Sequence, residues 1–164
     1  MQCNMEKKSK QPRGFRNNNP LNIRKGISRW QGRTIMQDDP DFVTFIDMNM
    51  GYRAAWKLMD TYRLRLAKEG KSYNLHNILH RWAPTDENDT SHYIQTVLTL
   101  VKNLGGMESL PAPGTLQGAT IMARILAAMT CVECGVNKNR VPTQAIIEGY
   151  KLAFPGADVP TLKW

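Results

Sequence analysis

Residues 13–24 have the sequence RGFRNNNPLNIR, and the rest of the chain is organised around this stretch. The run of asparagines before Pro20 is too polar for a core and too specific in composition for a plain linker. Asparagine tolerates left-handed backbone and bonds neighbouring amides, and proline pushes the residue before it toward extended geometry. We therefore predict a rigid loop rich in amide donors and acceptors, which suits a polar, uncharged ligand such as a sugar.

The length and composition favour one domain. The chain has 164 residues, of which 41% are hydrophobic, and this is enough for one sizeable core. We predict a basic flexible tail over residues 1–12 and a single domain over residues 13–164. No segment approaches the roughly 18 apolar residues of a membrane span. The N-terminus lacks the apolar core of a signal peptide, so we expect synthesis in the cytoplasm without such a signal.

The net charge of +8 is concentrated near the N-terminus, where the first 16 residues carry five basic side chains and one acidic one. Such an excess attracts a polyanion, either nucleic acid or an anionic bacterial envelope. A disordered tail that keeps the protein in solution explains it equally well.

Cysteine and histidine spacing predicts neither a disulfide nor a metal site. Cys131 and Cys134 lie one helical turn apart, where a disulfide would constrain little, and with Cys3 the number of cysteines is odd. We expect reduced thiols, as in a reducing cytosol. His76 and His80 are also one turn apart, but they lack the acidic third ligand of an HExxH-like pattern, and His92 adds no metal spacing. We predict no metal and no cofactor.

Hydrophobic spacing predicts a mainly α (α+β) fold. Residues 25–46 contain short β-favouring pieces, RTIM and DFVTF, which predict a small β-hairpin or an irregular β-flap with Trp30 at its base. Helical spacing then predicts a long helix from Asn49 to Gly70 and another from about Thr115 to Cys134, with Gly135 as its C-cap. Shorter helices are predicted near residues 75–82, 90–104 and 146–154. Asp89 or Thr90 is the predicted cap of the second of these.

Glu133 is the first catalytic candidate. It lies in the last turn of an apolar helix, where the helix dipole and apolar neighbours disfavour a charged carboxylate. A glycosidase needs a general acid that carries a proton near neutral pH. A solvent-facing glutamate at a helix end explains the pattern equally well. Glu87, in the loop WAPTDEND, is the second candidate, although acidic residues near a helix start are usually caps.

Three aromatic residues border polar loops. Trp30, Trp82 and Tyr93 are candidates for stacking on sugar rings, and the same rings would stack on bases. Each one taken alone is more often a core residue. No serine or cysteine nucleophile with a partner histidine and no phosphate-binding glycine loop is evident.

Three motifs, RGFRNNNPLNIR, FVTFIDMNMGYRAA and ILHRWAPTDENDTSHYIQTV, resemble a group of short bacteriophage and prophage proteins. Several of these are virion or tail structural proteins related to the lysozyme-like superfamily. The segment AMTCVECG is in addition similar to the catalytic-glutamate segment of lytic transglycosylases and N-acetylglucosaminidases, and ENDTSHYIQTV is similar to their Glu-Thr-x-x-Tyr-Val motif. The two segments occur here in reversed order. The resemblance therefore implies a circularly permuted lysozyme-like domain with a small flap.

The resemblance also implies roles for individual residues. Glu133 is implied as the general acid/base and Tyr93 as a neighbour of the scissile bond. Cys134 stands where Ser or Asn usually follows the glutamate. A transglycosylase needs only this carboxylate, whereas a hydrolase needs a second one, from Glu87 or from residues 38–41. The full set of expected substrate-binding residues is Asn18, Asn19, Asn22, Arg24, Trp30, Trp82 and Tyr93.

Three functions follow, in order of preference. The first is enzymatic cleavage of the β-1,4 glycan strand of peptidoglycan by a monomer, at the bacterial cell wall or in a phage particle. The second is a non-catalytic virion structural or cell-wall-binding protein, which has other virion proteins as partners. The third and least favoured function is nucleic-acid binding, for which the net charge is the only support. It predicts an affinity that falls steeply as the salt concentration rises.

Overall fold

The computed structural model describes residues 11–86, 88–104 and 106–164, and this part of the chain is mainly α-helical, as predicted. The predicted tail at residues 1–12 falls almost entirely outside these residues. The helices within them are α1 (Arg13–Arg16), α2 (Met48–Lys68), α3 (Leu75–Trp82), α4 (Thr90–Leu100), α5 (Leu116–Cys134) and α6 (Thr143–Ala153), with a 3-10 turn at Lys138–Arg140. None of the helices in the described ranges is both long and apolar enough to cross a bilayer.

Side-chain caps fix where four of the helices begin. In each case the residue before the helix accepts a hydrogen bond from a backbone N–H of the first turn, and these residues are Asp47, Asn74, Asp89 and Thr115. Helix α5 ends at Gly135, whose φ of 61° is left-handed and favours glycine. The predicted cap at Asp89 and the predicted end of α5 at Gly135 are confirmed.

Helix α5 lies at the centre of the main apolar core. Its residues are buried on nearly all sides, from Gly118 to Cys134. Helices α2 and α6 pack closely against each other, since a methyl group at Gly149 would have its carbon 2.7 Å from the Cβ atom of Tyr52. The indole Nε1 of Trp56 donates to the carbonyl oxygen of Ile146 at 2.9 Å and ties the two helices together.

Residues 25–46, which we call the flap loop, form an irregular loop and not the β-hairpin that was one of the two predicted forms. In the described chain its strand-like pairing consists of isolated antiparallel bridges, Arg24 with Phe42 and Arg33 with Phe45. A side chain explains why no ladder forms. The N–H of Thr44 donates to Gln37 Oε1 at 2.9 Å, so a side chain occupies a backbone donor that a second strand would pair. The carbonyl of Thr44 accepts from Gln37 Nε2 at 2.8 Å and also from the N–H of Thr34 at 2.9 Å.

Candidate active site

Glu133 faces a cleft of about 440 Å³ between the 13–24 stretch, the flap loop, α2 and the end of α3. A volume of this size falls within the range of small-molecule sites. The predicted site residues that line the cleft are Asn22, Arg24, Trp30, Trp82 and Glu133.

Three donors hold the carboxylate of Glu133. The Oε1 atom accepts a hydrogen bond from Asn22 Nδ2 at 3.2 Å. The Oε2 atom accepts from Trp82 Nε1 at 3.3 Å and from the hydroxyl of Tyr93 at 2.9 Å. The sequence predicts apolar neighbours for the Glu133 carboxylate. In the structure its two oxygens instead contact polar groups, which fix the direction of the carboxylate.

These contacts make the two oxygens of Glu133 unequal. A carboxylate oxygen offers about two lone-pair positions. On Oε2 both are used, by Trp82 and Tyr93, whereas among the residues that the structure describes Oε1 accepts only from Asn22. A proton exchanged with a ligand in the cleft therefore has its free position on Oε1.

Asn22 is fixed by its own backbone and by a glycine. It has a φ of 53°, in the left-handed region that asparagine tolerates. Its amide also donates to the carbonyl oxygen of Glu133 at 3.2 Å. A methyl carbon at Gly14 would lie 2.8 Å from Cys134 Sγ and 3.1 Å from Asn22 Oδ1. Only a glycine at position 14 allows the 13–24 stretch to approach the end of α5 this closely.

Helices α3 and α4 supply the other two donors. Trp82 is the last residue of α3, and Tyr93 lies in the first turns of α4, which Asp89 caps. Burial, and then the nearby carboxylate of Glu133, raise the pKa of Tyr93 well above its ordinary value. The phenol thus stays protonated and continues to donate to Oε2 at neutral and moderately alkaline pH.

The thiol of Cys134, the residue after Glu133, donates to a backbone carbonyl of the 13–24 stretch. Cys134 Sγ lies 3.2 Å from the carbonyl oxygen of Pro20. Burial, and then the charge of Glu133, raise the pKa of Cys134 to about 12, so the group remains a thiol. Cys131 and Cys134 are both free and buried, and Cys3 lies outside the described residues.

The structure gives the earlier asparagines a different place from the one expected. Asn19 is fully buried, and its amide donates to the carbonyls of Ile23 and Val43 while its oxygen accepts from the N–H of Ile23. Asn18, with a φ of 51°, donates to the carbonyl of Phe45. Both side chains bind backbone of the flap loop and the 13–24 stretch and do not line the cleft.

Tyr93 likewise lies behind the site, since it is buried and reaches the cleft only through the carboxylate of Glu133. We therefore correct its expected contact with substrate to one of holding Glu133. The buried position follows from the packing of α4 against α5, which the apolar stripe of α4 already allowed.

The acidic residues of the flap loop, which are candidates for a second carboxylate, do not line the cleft. Asp39 is held by Arg13 Nε and Nη2, both at 2.6 Å, and by Asn17 Nδ2 at 2.9 Å. The guanidinium of Arg13 holds the pKa of Asp39 well below its usual range. Asp41 pairs with the same guanidinium at 2.9 Å. Glu87 lies outside the described residues, so its predicted role stays a prediction.

Several cleft residues escaped the sequence analysis: Ser28, Phe42, Leu58, Tyr62 and Asn88. Tyr62 belonged to the apolar stripe of α2, and a helical stripe does not show which residue lies at the edge of a core. Two guanidinium groups lie over the ring of Phe42, with the guanidinium carbons of Arg13 and Arg24 4.4 and 5.5 Å from its centre. A search of the described residues gives no group of three His, Cys, Asp or Glu side chains that could hold a metal ion.

Comparison with known proteins places the chain among phage proteins. No family model matches it. Protein P5 of Pseudoalteromonas phage PM2 is 34% identical over 147 residues, which cover 88% of this chain and 83% of protein P5. The chain belongs to the family of this phage protein. The predicted relation to phage proteins is confirmed, while the relation to the lysozyme-like superfamily stays a prediction.

Proposed function

We propose that the protein cleaves the β-1,4-linked glycan strand of peptidoglycan, with Glu133 as the general acid/base. One observation supports this most strongly: the carboxylate lies in a cleft wall and is held there by donors from three separate segments. A group that transfers a proton in a transition state has to be held in a defined direction, and Asn22, Trp82 and Tyr93 would do this for Glu133.

The chemistry we propose needs one carboxylate. Glu133 gives a proton from Oε1 to the glycosidic oxygen as the bond to the anomeric carbon breaks. A hydroxyl of the same sugar then attacks that carbon and returns its proton to Glu133, which leaves an anhydro ring. Among the described residues that line the cleft, Glu133 is the only carboxylic acid. This favours the transglycosylase route over hydrolysis with a second carboxylate.

The other cleft residues would bind the glycan. Trp30 and Trp82 are half-buried on the cleft wall and offer ring faces to sugars. Arg24 and Asn88 are exposed and offer donors to hydroxyl and acetamido oxygens. We also propose that the domain is a permuted lysozyme-like fold, in which the end of an apolar helix faces an irregular flap. The protein would act at the bacterial cell wall or from within a phage particle.

Replacing Glu133 by glutamine tests the proposal. The variant keeps the size of the side chain but has no titratable proton, so we expect release of soluble muropeptides from purified cell walls to fall at least a hundredfold. Glu108→Gln is the matched control, because Glu108 is exposed and lies outside the cleft. Thermal unfolding of both variants shows whether the fold is kept. If Glu133→Gln releases muropeptides as fast as the parent, Glu133 is not the acid.

Mass analysis of the released fragments separates the two chemistries. Anhydro ends are expected from the one-carboxylate route. Ordinary reducing ends would show that water attacks, and would direct the search for a second carboxylate to Glu87.

The phage relative favours a second candidate, non-catalytic wall binding by a virion protein, since a binding role requires the cleft but no proton transfer. In that case the parent and Glu133→Gln would both be retained on insoluble peptidoglycan, and neither would release soluble products.

A further inference from the structure

The outer part of the flap loop, residues 25–37, exposes large apolar side chains. Ile27 and Ile35 are each 101% exposed and Met36 is 70% exposed. The same segment turns Trp30 inward, where it packs on the small apolar cluster beneath the loop. Ile27 and Ile35 are therefore exposed although Trp30 of the same segment packs on an apolar cluster. Exposed apolar residues grouped on one short segment are typical of an interaction site.

Contacts at its ends and middle hold this segment in place. Lys25 Nζ donates to the carbonyl of Gln37 at 2.9 Å and closes the segment at its base. Gly32 lies directly on α2, since a methyl carbon there would be 2.4 Å from Met50 Cε. The N–H of Ile46 donates to the carbonyl of Gly32 at 2.8 Å. The apolar side chains thus project from a backbone that is bonded to the body of the protein.

The charged residues within the segment and at its N-terminal end are all basic. Residues 22–37 contain four basic residues and no acidic one. Across the described ranges, none of these four takes part in an ion pair with a carboxylate. They are Arg24, Lys25, Arg29 and Arg33, and each is exposed. We call the three exposed apolar side chains the apolar tip and the four basic residues the basic rim; the nearest acidic residue along the chain is Asp38, directly after the segment.

We propose that residues 25–37 dock on an anionic phospholipid bilayer. The apolar tip would enter the boundary between headgroups and acyl chains, while the basic rim would lie against the phosphates. Two features favour a bilayer over the other polyanions. Nucleic acid binds basic surfaces through phosphates and stacked aromatic rings, and aliphatic tips such as Ile27 and Ile35 supply neither. A glycan offers no apolar layer in which these side chains would be buried.

This inference does not depend on the chemistry at Glu133. The same loop forms one wall of the cleft, through Gly26, Ser28 and Trp30. Docking by residues 25–37 would therefore place the cleft next to the bilayer surface, with one side of the protein turned toward the lipid.

The test measures co-sedimentation of the full chain with vesicles. One set contains phosphatidylcholine and phosphatidylglycerol in equal amounts, and the other contains phosphatidylcholine alone. The apolar-tip variant combines Ile27→Ser, Ile35→Ser and Met36→Ser. The matched control removes three exposed apolar side chains elsewhere, with the changes Leu116→Ser, Leu152→Ser and Val159→Ser. All of these chains carry the same N-terminal lysines, so differences between them report on the loop.

We expect the parent and the control to bind the anionic vesicles at least tenfold more tightly than the apolar-tip variant. Arg29→Gln combined with Arg33→Gln should also weaken binding and should reduce its dependence on salt. Three outcomes would overturn the proposal. These are no binding by the parent, equal binding by the apolar-tip variant, which would indicate adsorption by charge alone, or equal losses in the apolar-tip variant and the control.

Discussion

Replacing Asn19 by alanine should destabilise the protein severely, although Asn19 is one of three consecutive polar residues in a loop. The side chain is fully buried and makes three hydrogen bonds to backbone. The carbonyl of Ile23 would keep a partner in Asn19→Ala, because the N–H of Val43 donates to it at 3.0 Å. The N–H of Ile23 and the carbonyl of Val43 would lose theirs.

The expected size follows from those two lost partners. A buried backbone group left without a hydrogen bond costs about 1–3 kcal/mol, so two of them cost about 2–6 kcal/mol. The total stability of a small protein is about 5–15 kcal/mol, so the loss is a large part of it. The free energy of unfolding is measured by urea denaturation, with an unchanged slope as the sign that the same surface is exposed.

Asn139→Ala is the matched control for this measurement. Asn139 is exposed, and its loss should change the free energy of unfolding by no more than about 0.5 kcal/mol. If Asn19→Ala costs less than about 1 kcal/mol, the buried hydrogen bonds do not hold the loop as described. If Asn19→Ala instead keeps the parental stability but binds glycan more weakly, Asn19 contacts the substrate, as the sequence predicts.

Two further predictions concern titration and packing. Burial raises the pKa of all five tyrosines above the ordinary value, that of Tyr62 to about 12. The folded protein should therefore show little phenolate absorbance at about pH 10.5, where the unfolded chain shows most of it. Because the unfolded chain releases these protons first, stability should fall as the pH rises above about 10, and ionisation of several tyrosines near pH 10 in the folded protein would contradict this. Gly51→Ala would place a carbon 2.0 Å from the carbonyl oxygen of Asn18 and should cost about 1–3 kcal/mol in urea denaturation. Gly26→Ala, which meets nothing within 4 Å, is its control, and equal effects of the two substitutions would refute the close contact.

The helices were predictable because their signals are local. The apolar stripe from Tyr52 to Leu66 repeats at helical spacing within α2, and all of it is set by neighbours three and four residues apart. Asp89 and Gly135 act through backbone groups of the adjoining turn. Such signals need no knowledge of what packs against the helix.

The flap loop and the asparagine run were predicted less well because their partners are distant in sequence. RTIM and DFVTF favour strands, yet the N–H of Thr44 donates to the side chain of Gln37, which strand propensity does not predict. Asn19 is buried, and its amide donates to the carbonyl of Val43, which is distant in sequence. A polar run alone indicates only a surface loop. The short helix α1 (Arg13–Arg16) was missed for the same reason.

The site was predictable in its central residue and less so in its surroundings. Glu133 was identified from its place at a helix end, and the structure brings Asn22 and Trp82 to it. That Tyr93 would hold the carboxylate from behind depends on how α4 packs on α5, which the apolar pattern of α4 does not specify.

The hydrogen bond between Asn22 and Glu133 joins residues 111 positions apart, and this has a consequence for the order of folding. Helix α5 can form early from local interactions, but the entropy of closing so long a loop opposes the contact until the intervening helices have docked. During synthesis the cleft is completed only after α5 has left the ribosome. A folding experiment that follows the fluorescence of Trp82 should therefore report this contact in the slowest phase, after most of the helical signal has appeared.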